Sequence, residues 1–132
     1  MDADDVRRWY ADYLEAFAAC GRGERPVEDL LEFYGVPMVL TTDDTVSTFL
    51  TADQSLGWAS AQGEGMRAAG YQRTQEWAEA IVTVLNRTTA LYRAALARVR
   101  ADGSEISRFA FTYLITDGPS GRRISALAVQ RP

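Results

Sequence analysis

The opening third of the chain repeats its apolar positions with a helical period. Val6, Trp9, Tyr10, Tyr13, Leu14, Phe17 and Cys20 recur at three- and four-residue spacings, and Asp4 or Asp5 ahead of them is a good N-cap. This spacing predicts an amphipathic helix with one broad aromatic face. Gly21-Arg22-Gly23 stops it, Pro26 opens a short second helix from Val27 to about Tyr34, and Gly35 and Pro37 end that one. From Met38 the chain becomes strand-like, with β-branched residues dominant. Met38-Val39-Leu40-Thr41 and Val46-Ser47-Thr48-Phe49-Leu50, joined at Asp43-Asp44, read as a short hairpin.

Thr51-Ala52-Asp53 caps a third helix that runs to about Ala69, with Leu56, Trp58, Ala59, Gln62 and Met66 as its less polar positions. Gly57, Gly63 and Gly65 inside it each cost up to about 1 kcal/mol against Ala, which predicts the loosest element of the molecule. Strands follow at residues 75–86, 88–100, 106–116 and 123–129, punctuated by Asp102-Gly103 and by Asp117-Gly118-Pro119-Ser120-Gly121. Helices first and strands afterwards predict one α+β domain over residues 1–132, with three N-terminal helices packed on one face of a mainly antiparallel sheet. In the third long strand Phe109, Phe111, Tyr113 and Ile115 make one face and Ala110, Thr112 and Leu114 the other, so neither face is properly polar. Helices in so short a chain cover one face. The other is expected to meet a second copy, giving a homodimer through the sheet.

Composition changes the picture by exclusion. The chain of 132 residues is 47% hydrophobic and has no Lys, no His and one Cys. That removes Ser-His and Cys-His nucleophile pairs, histidine metal sites, lysine Schiff bases and the P-loop lysine, and leaves Asp, Glu, Tyr, Arg, Ser and Thr for any catalysis. The net charge is −4, and the arginines are scattered, with close groups such as Arg22 and Arg25, Arg98 and Arg100, and Arg122 and Arg123. These are expected to be solvated ends of elements, and no nucleic-acid partner is expected. No apolar run approaches the ~20 residues of a membrane span, and the first residues lack the basic and apolar regions of a signal peptide, so a cytoplasmic protein without membrane contact is expected. Cys20, beside Ala18 and Ala19, is read as a small buried hydrophobe. No metal or other cofactor is expected, because the acidic residues are dispersed.

The order helix, helix, hairpin, helix and long four-strand meander resembles the nuclear transport factor 2-like (cystatin-like) fold, in its SnoaL-like and ketosteroid-isomerase-like group. The resemblance is most specific to an uncharacterised bacterial subgroup. It is carried by Leu56 through Met66-Arg67-Ala68-Ala69-Gly70-Tyr71, by Arg98-Val99-Arg100-Ala101-Asp102-Gly103, by Thr112-Tyr113-Leu114 and by Ile124-Ser125-Ala126-Leu127. It implies a curved sheet wrapped on the helices into a cone with an apolar pocket, and dimers through the sheet.

In ketosteroid isomerase an Asp acts as general base while a Tyr and a protonated Asp hold the developing oxyanion. The resemblance puts that tyrosine at Tyr13 and the base near Asp43 and Asp44, where this chain departs from the isomerase pattern. Tyr13 equally fits an aromatic stripe with its hydroxyl paired, and Asp43 and Asp44 equally fit a turn. Limonene-epoxide-hydrolase-like relatives carry an Asp-Arg-Asp set, which is absent because no Asp lies within the long strands. Phe17, Trp58 and Met66 are candidate pocket walls beside Tyr13, and Glu79 and Arg93 a candidate cross-strand polar pair. Two readings follow: a pocket protein performing proton transfer on a small apolar carbonyl compound (isomerase, cyclase or lyase), or a non-catalytic ligand-binding or dimerisation module of the same fold.

Overall fold

The computed structural model, which describes residues 1–131, starts its first helix two to three residues earlier than the spacing predicts. Helix α1 spans Ala3–Gly21 and is capped by Asp2, whose carboxylate accepts from the Asp4 N–H at 2.8 Å. Val6, Tyr10, Tyr13, Ala16 and Cys20 form its buried stripe. The predicted second helix is a 3₁₀ stretch over Val27–Glu32. It stops short because Tyr34 is already in a strand, paired with Ile124. Strands β1 (Tyr34–Thr41) and β2 (Val46–Phe49) make the hairpin. Helix α2 spans Ala52–Ala68, and the Thr51 hydroxyl caps it by accepting from the Gln54 N–H at 3.3 Å. The meander is β3 (Tyr71–Asn86), β4 (Thr89–Arg100), β5 (Glu105–Gly118) and β6 (Gly121–Gln130). Gly70 and Gly103 turn the chain into β3 and β5 with φ of 84° and 87°, values that favour a residue without Cβ.

The six strands lie in the order β2-β1-β6-β5-β4-β3, antiparallel except for β1 beside β6. The β3–β4 register shifts four times, between Tyr71 and Arg73, Glu76 and Ala78, Ala78 and Ile81, and Val84 and Asn86. Each such irregularity bends and twists the strand locally, which curls the sheet around α1. Arg7 on α1 donates to the Ala80 carbonyl of β3 at 3.2 Å, holding the helix against the far edge of the sheet. The α+β expectation therefore holds, with two α-helices and one 3₁₀ stretch ahead of the meander.

Phe111, Tyr113 and Ile115 of β5 join the core beneath α1, with Tyr92, Ala94 and Leu96 of β4. The opposite set, which includes Leu91, Leu114 and Ala126, is only half-buried, and Ile81 and Val46 on the same face are 56% and 77% exposed. The outer face thus carries an apolar strip at Leu91, Leu114 and Ala126 that stays out of the core cluster, beside the exposed Arg93 and Arg108 and the half-buried Thr112. No helix among the described residues is long and apolar enough to cross a membrane.

Candidate functional site

Alternation along the strands decides which side chains point beneath α1. Leu96 and Arg98 on β4, Phe109, Phe111 and Tyr113 on β5, and Leu127 and Val129 on β6 all point the same way. With Tyr13, Leu14 and Phe17 from α1 and Trp58 and Gln62 from α2 they enclose a cavity of about 360 Å³. The β1–β2 turn closes one side through Thr42, Asp43 and Asp44, and Arg131 lies beside them. Most of the wall is apolar and aromatic. The lining residues that carry polar groups include Tyr13, Tyr113, Thr42, Thr74, Gln62 and the charged Asp43, Asp44, Arg98 and Arg131.

Tyr13 sits where the cavity meets a cluster of phenols. Its hydroxyl shares a hydrogen bond of 2.9 Å with the Tyr34 hydroxyl. Its ring lies 5.6 Å from Tyr10, 5.7 Å from Tyr34 and 6.1 Å from Tyr113, centroid to centroid. Burial pushes the Tyr13 phenol up to about 12, with the Tyr34 hydrogen bond and the Arg98 charge acting against it. Burial also raises Tyr10, Tyr34 and Tyr113 well above the ordinary phenol range. All four phenols are therefore protonated and neutral near pH 7. The Tyr10 hydroxyl is buried with no partner, as is the Ser55 hydroxyl.

Asp43 and Asp44 are exposed. Their carboxylates lie 3.8 and 4.0 Å from the Arg131 guanidinium, and the Thr42 hydroxyl accepts from the Asp44 and Thr45 N–H groups, so the segment is a side-chain-braced turn. Neither carboxylate hydrogen-bonds Tyr13. The arrangement supplies an apolar chamber and neutral phenols; no described carboxylate is joined to a phenol as an acid–base pair. No described group of three or more Asp, Glu or Cys side chains could hold a metal ion.

Of the sequence-predicted wall, Phe17 and Trp58 line this cavity and Met66 does not. Met66 faces a second cavity of about 280 Å³ between α1 and α2, with Cys20, Gly21 and Ala59. There its Cε would be 2.6 Å from a Cβ on Gly21, so the two helices approach closely at that point. Glu79 and Arg93 are exposed and do not pair. The bulge between Ala78 and Ile81 sets Ile81, not Glu79, opposite Arg93. Arg98 is the largest omission. Expected as a solvated strand end, it lies half-buried in the cavity wall, its guanidinium carbon 5.5 Å from the centre of the Phe17 ring. The signal was available: Tyr92, Ala94, Leu96 and Arg98 are one period-two series.

A curled sheet closed by an N-terminal helix around an apolar chamber defines a pocket fold of the nuclear transport factor 2 type. The chain belongs to the family described as NTF2-like protein (DUF6841), whose profile matches residues 3–132. No curated protein matches it in sequence. Among solved structures it is similar to an NTF2-like protein of unknown function from Shewanella oneidensis, with TM-score 0.73, 14% identity and 98% of each chain covered. It is similar to a domain of unknown function with a cystatin-like fold from Nostoc punctiforme, with TM-score 0.72, 17% identity, 99% of this chain and 77% of the other covered. A Xanthomonas campestris domain described as a calcium/calmodulin dependent protein kinase II association domain matches with TM-score 0.70 and 12% identity, over 100% of this chain and 89% of that one. At these identities the likeness shows the fold.

Proposed function

We propose that this protein binds a small apolar ligand in the chamber beneath α1, and that two copies pair through the outer face of the sheet. One observation carries the binding reading: a cavity of about 360 Å³ with an aromatic wall lies beside a phenol, Tyr13, whose hydroxyl is already paired with Tyr34. The volume is at the lower end of the ~300–1,000 Å³ of small-molecule sites and suits a ligand of one or two rings. Proton abstraction needs a base within hydrogen-bond reach of the proton removed, and the carboxylates nearest the chamber, Asp43 and Asp44, are exposed beside Arg131. Binding without catalysis is therefore the first reading. Proton transfer on a carbonyl compound, as in an isomerase, cyclase or lyase of the SnoaL-like type, is the second. Its support is Tyr13 itself, a neutral donor at the cavity wall with its phenol raised to about 12.

Calorimetry with 1-indanone and 2-acetylnaphthalene tests the site. Saturable binding to the native protein and its loss in Leu96→Trp, which fills the chamber, are expected. Absence of saturation by either compound up to about 1 mM, the limit of useful affinity, sinks the reading. Product formation from either compound would promote the second reading over the first.

Support for pairing is the half-exposed apolar set around Leu91, Leu114 and Ala126, which no helix covers. The association-domain description of the Xanthomonas relative agrees with it. Light scattering should give twice 14.6 kDa for the native chain and 14.6 kDa for Leu114→Arg. A native monomer at micromolar concentration removes the dimer. We also propose a cytoplasmic location, a compartment in which the buried Cys20 stays a thiol.

A further inference from the structure

Arg98 is the one cation in the chamber wall without a carboxylate partner among the described residues. Arg131, the other arginine of the lining, stands beside Asp43 and Asp44. Those carboxylates belong to the β1–β2 turn, and β6 and β5 separate β1 from the β4 strand that carries Arg98. A guanidinium presents five N–H donors in a planar fork that matches a carboxylate. Arg98 uses one nitrogen, Nη1, in a bond to Gln62 Oε1 that at 3.4 Å is long for an N–H···O contact. Its remaining guanidinium nitrogens have no protein partner and are accessible, and Arg98 is a lining residue of the chamber. Phe17 covers one flank of the guanidinium at 5.5 Å, which holds it in place and keeps water from that side.

We infer that the chamber takes an apolar molecule ending in a single carboxylate, with the carboxylate on Arg98 and the apolar body against Phe17, Trp58 and Phe109. This rests on the reading of the chamber as a ligand site and adds the charge of the ligand to it. A neutral molecule of the same shape would leave the open donors of Arg98 to water. A dicarboxylate would set its second charge against an aromatic wall, or against Asp43 and Asp44. The chemistry is shared by aromatic acids and by short alkyl acids, and the body of the ligand separates them.

The test titrates the full chain with 2-naphthoate and its neutral analogue 2-naphthalenemethanol, and with decanoate and 1-decanol, by calorimetry. At least one acid should bind about tenfold or more tightly than its alcohol, as charge-assisted hydrogen bonds require. The tighter of the two acids identifies a ring or an alkyl body. Arg98→Gln should abolish the preference for the acid while the affinity for the alcohol stays within about threefold, and Arg98→Lys should keep part of it, because a point charge replaces the fork. Equal affinity of acid and alcohol in the native protein overturns the inference and leaves the binding reading standing. Failure of all four compounds to bind overturns the inference, and together with failure of the two ketones it overturns the binding reading as well. A preference that survives Arg98→Gln overturns the assignment to Arg98. The comparison of acid with alcohol in the native chain decides the matter even where a variant does not fold.

Discussion

The two ends of the space beneath α1 are built from the same elements and reach opposite outcomes. At the closed end Tyr10, Tyr34, Tyr92 and Tyr113 are at most 3% exposed, and Tyr10 stacks on Tyr92 with centroids 4.0 Å apart. At the open end Phe17, Trp58, Arg98 and Phe109 are half-buried around the chamber. Strands β4 and β5 run through both, pairing Tyr92 with Tyr113 at one end and Leu96 with Phe109 at the other. Strand alternation decides only that these residues point inward. Whether space remains depends on what the facing residues fill, and the Tyr10 ring of α1 together with three strand tyrosines leaves none.

The largest test of this contrast is truncation at each end. Tyr10→Ala should cost about 3–5 kcal/mol, the range for removing a large buried aromatic side chain, whereas Phe109→Ala, which opens onto space already accessible, should cost about 1 kcal/mol or less. Urea denaturation of the two variants measures both. Equal losses would mean that the open end is packed in solution and that the chamber closes.

Alkaline pH tests next the phenol cluster of the closed end together with Tyr13, which borders the chamber. The folded Tyr13 phenol lies near 12 against about 10 in the unfolded chain. The fold therefore favours the protonated phenol, and the associated stability is whole below pH 10 and is lost as pH rises from 10 through 12. For Tyr13 alone this is about 3 kcal/mol, from about 1.4 kcal/mol for each tenfold change. Tyr10, Tyr34 and Tyr113 are raised in the same direction by burial and steepen the fall. Denaturation midpoints should be flat from pH 7 to about 9 and drop steeply above 10. A flat profile to pH 12 would mean that the phenols are not buried.

Hydroxyl deletions sharpen the contrast within the closed end. Tyr34→Phe strands the Tyr13 hydroxyl and should cost about 1–2 kcal/mol, while Tyr10→Phe removes a buried hydroxyl that has no partner and should be neutral or stabilising by up to about 1 kcal/mol. The same change in sign for both variants would contradict the hydrogen-bond assignment.

Much of the closed end was legible in the sequence. The helical spacing of Val6, Tyr10, Tyr13 and Phe17 is visible without coordinates, and so are the Thr51 cap and the Asp102-Gly103 turn. The open end was half legible. Tyr13, Phe17 and Trp58 were found as its wall, but Met66 belongs to the second cavity, because the contact between α1 and α2 turns that position toward Gly21. Glu79 and Arg93 failed for a related reason: simple alternation cannot show a bulge, and the irregularity at Ala78 to Ile81 moves Glu79 out of register. Tyr34 was hidden by its position between a helix-like segment and Gly35, so its pairing with Ile124 needed the parallel β1–β6 contact, which joins residues ninety positions apart. Arg98 was misread through its neighbours in sequence, Val99 and Arg100, when its neighbours in space are Phe17 and Gln62.

The smallest expected effect bears on catalysis. Asp43→Asn combined with Asp44→Asn changes two exposed carboxylates 3.8 and 4.0 Å from Arg131, itself mostly exposed. Such surface pairs contribute close to nothing, since solvent screens the attraction and ordering the side chains offsets it. The turn is braced by Thr42, which the substitutions leave in place. Stability should therefore move by no more than about 0.5 kcal/mol. The affinity for 2-naphthoate should stay within about threefold, with a slight gain, because two negative charges leave the side of the chamber opposite Arg98. A loss of turnover in this double variant, on any carbonyl substrate the native protein converts, would reverse the order of the two functional readings. It would make the open end an active site whose base lies on the β1–β2 turn, brought to the substrate by a movement of that turn.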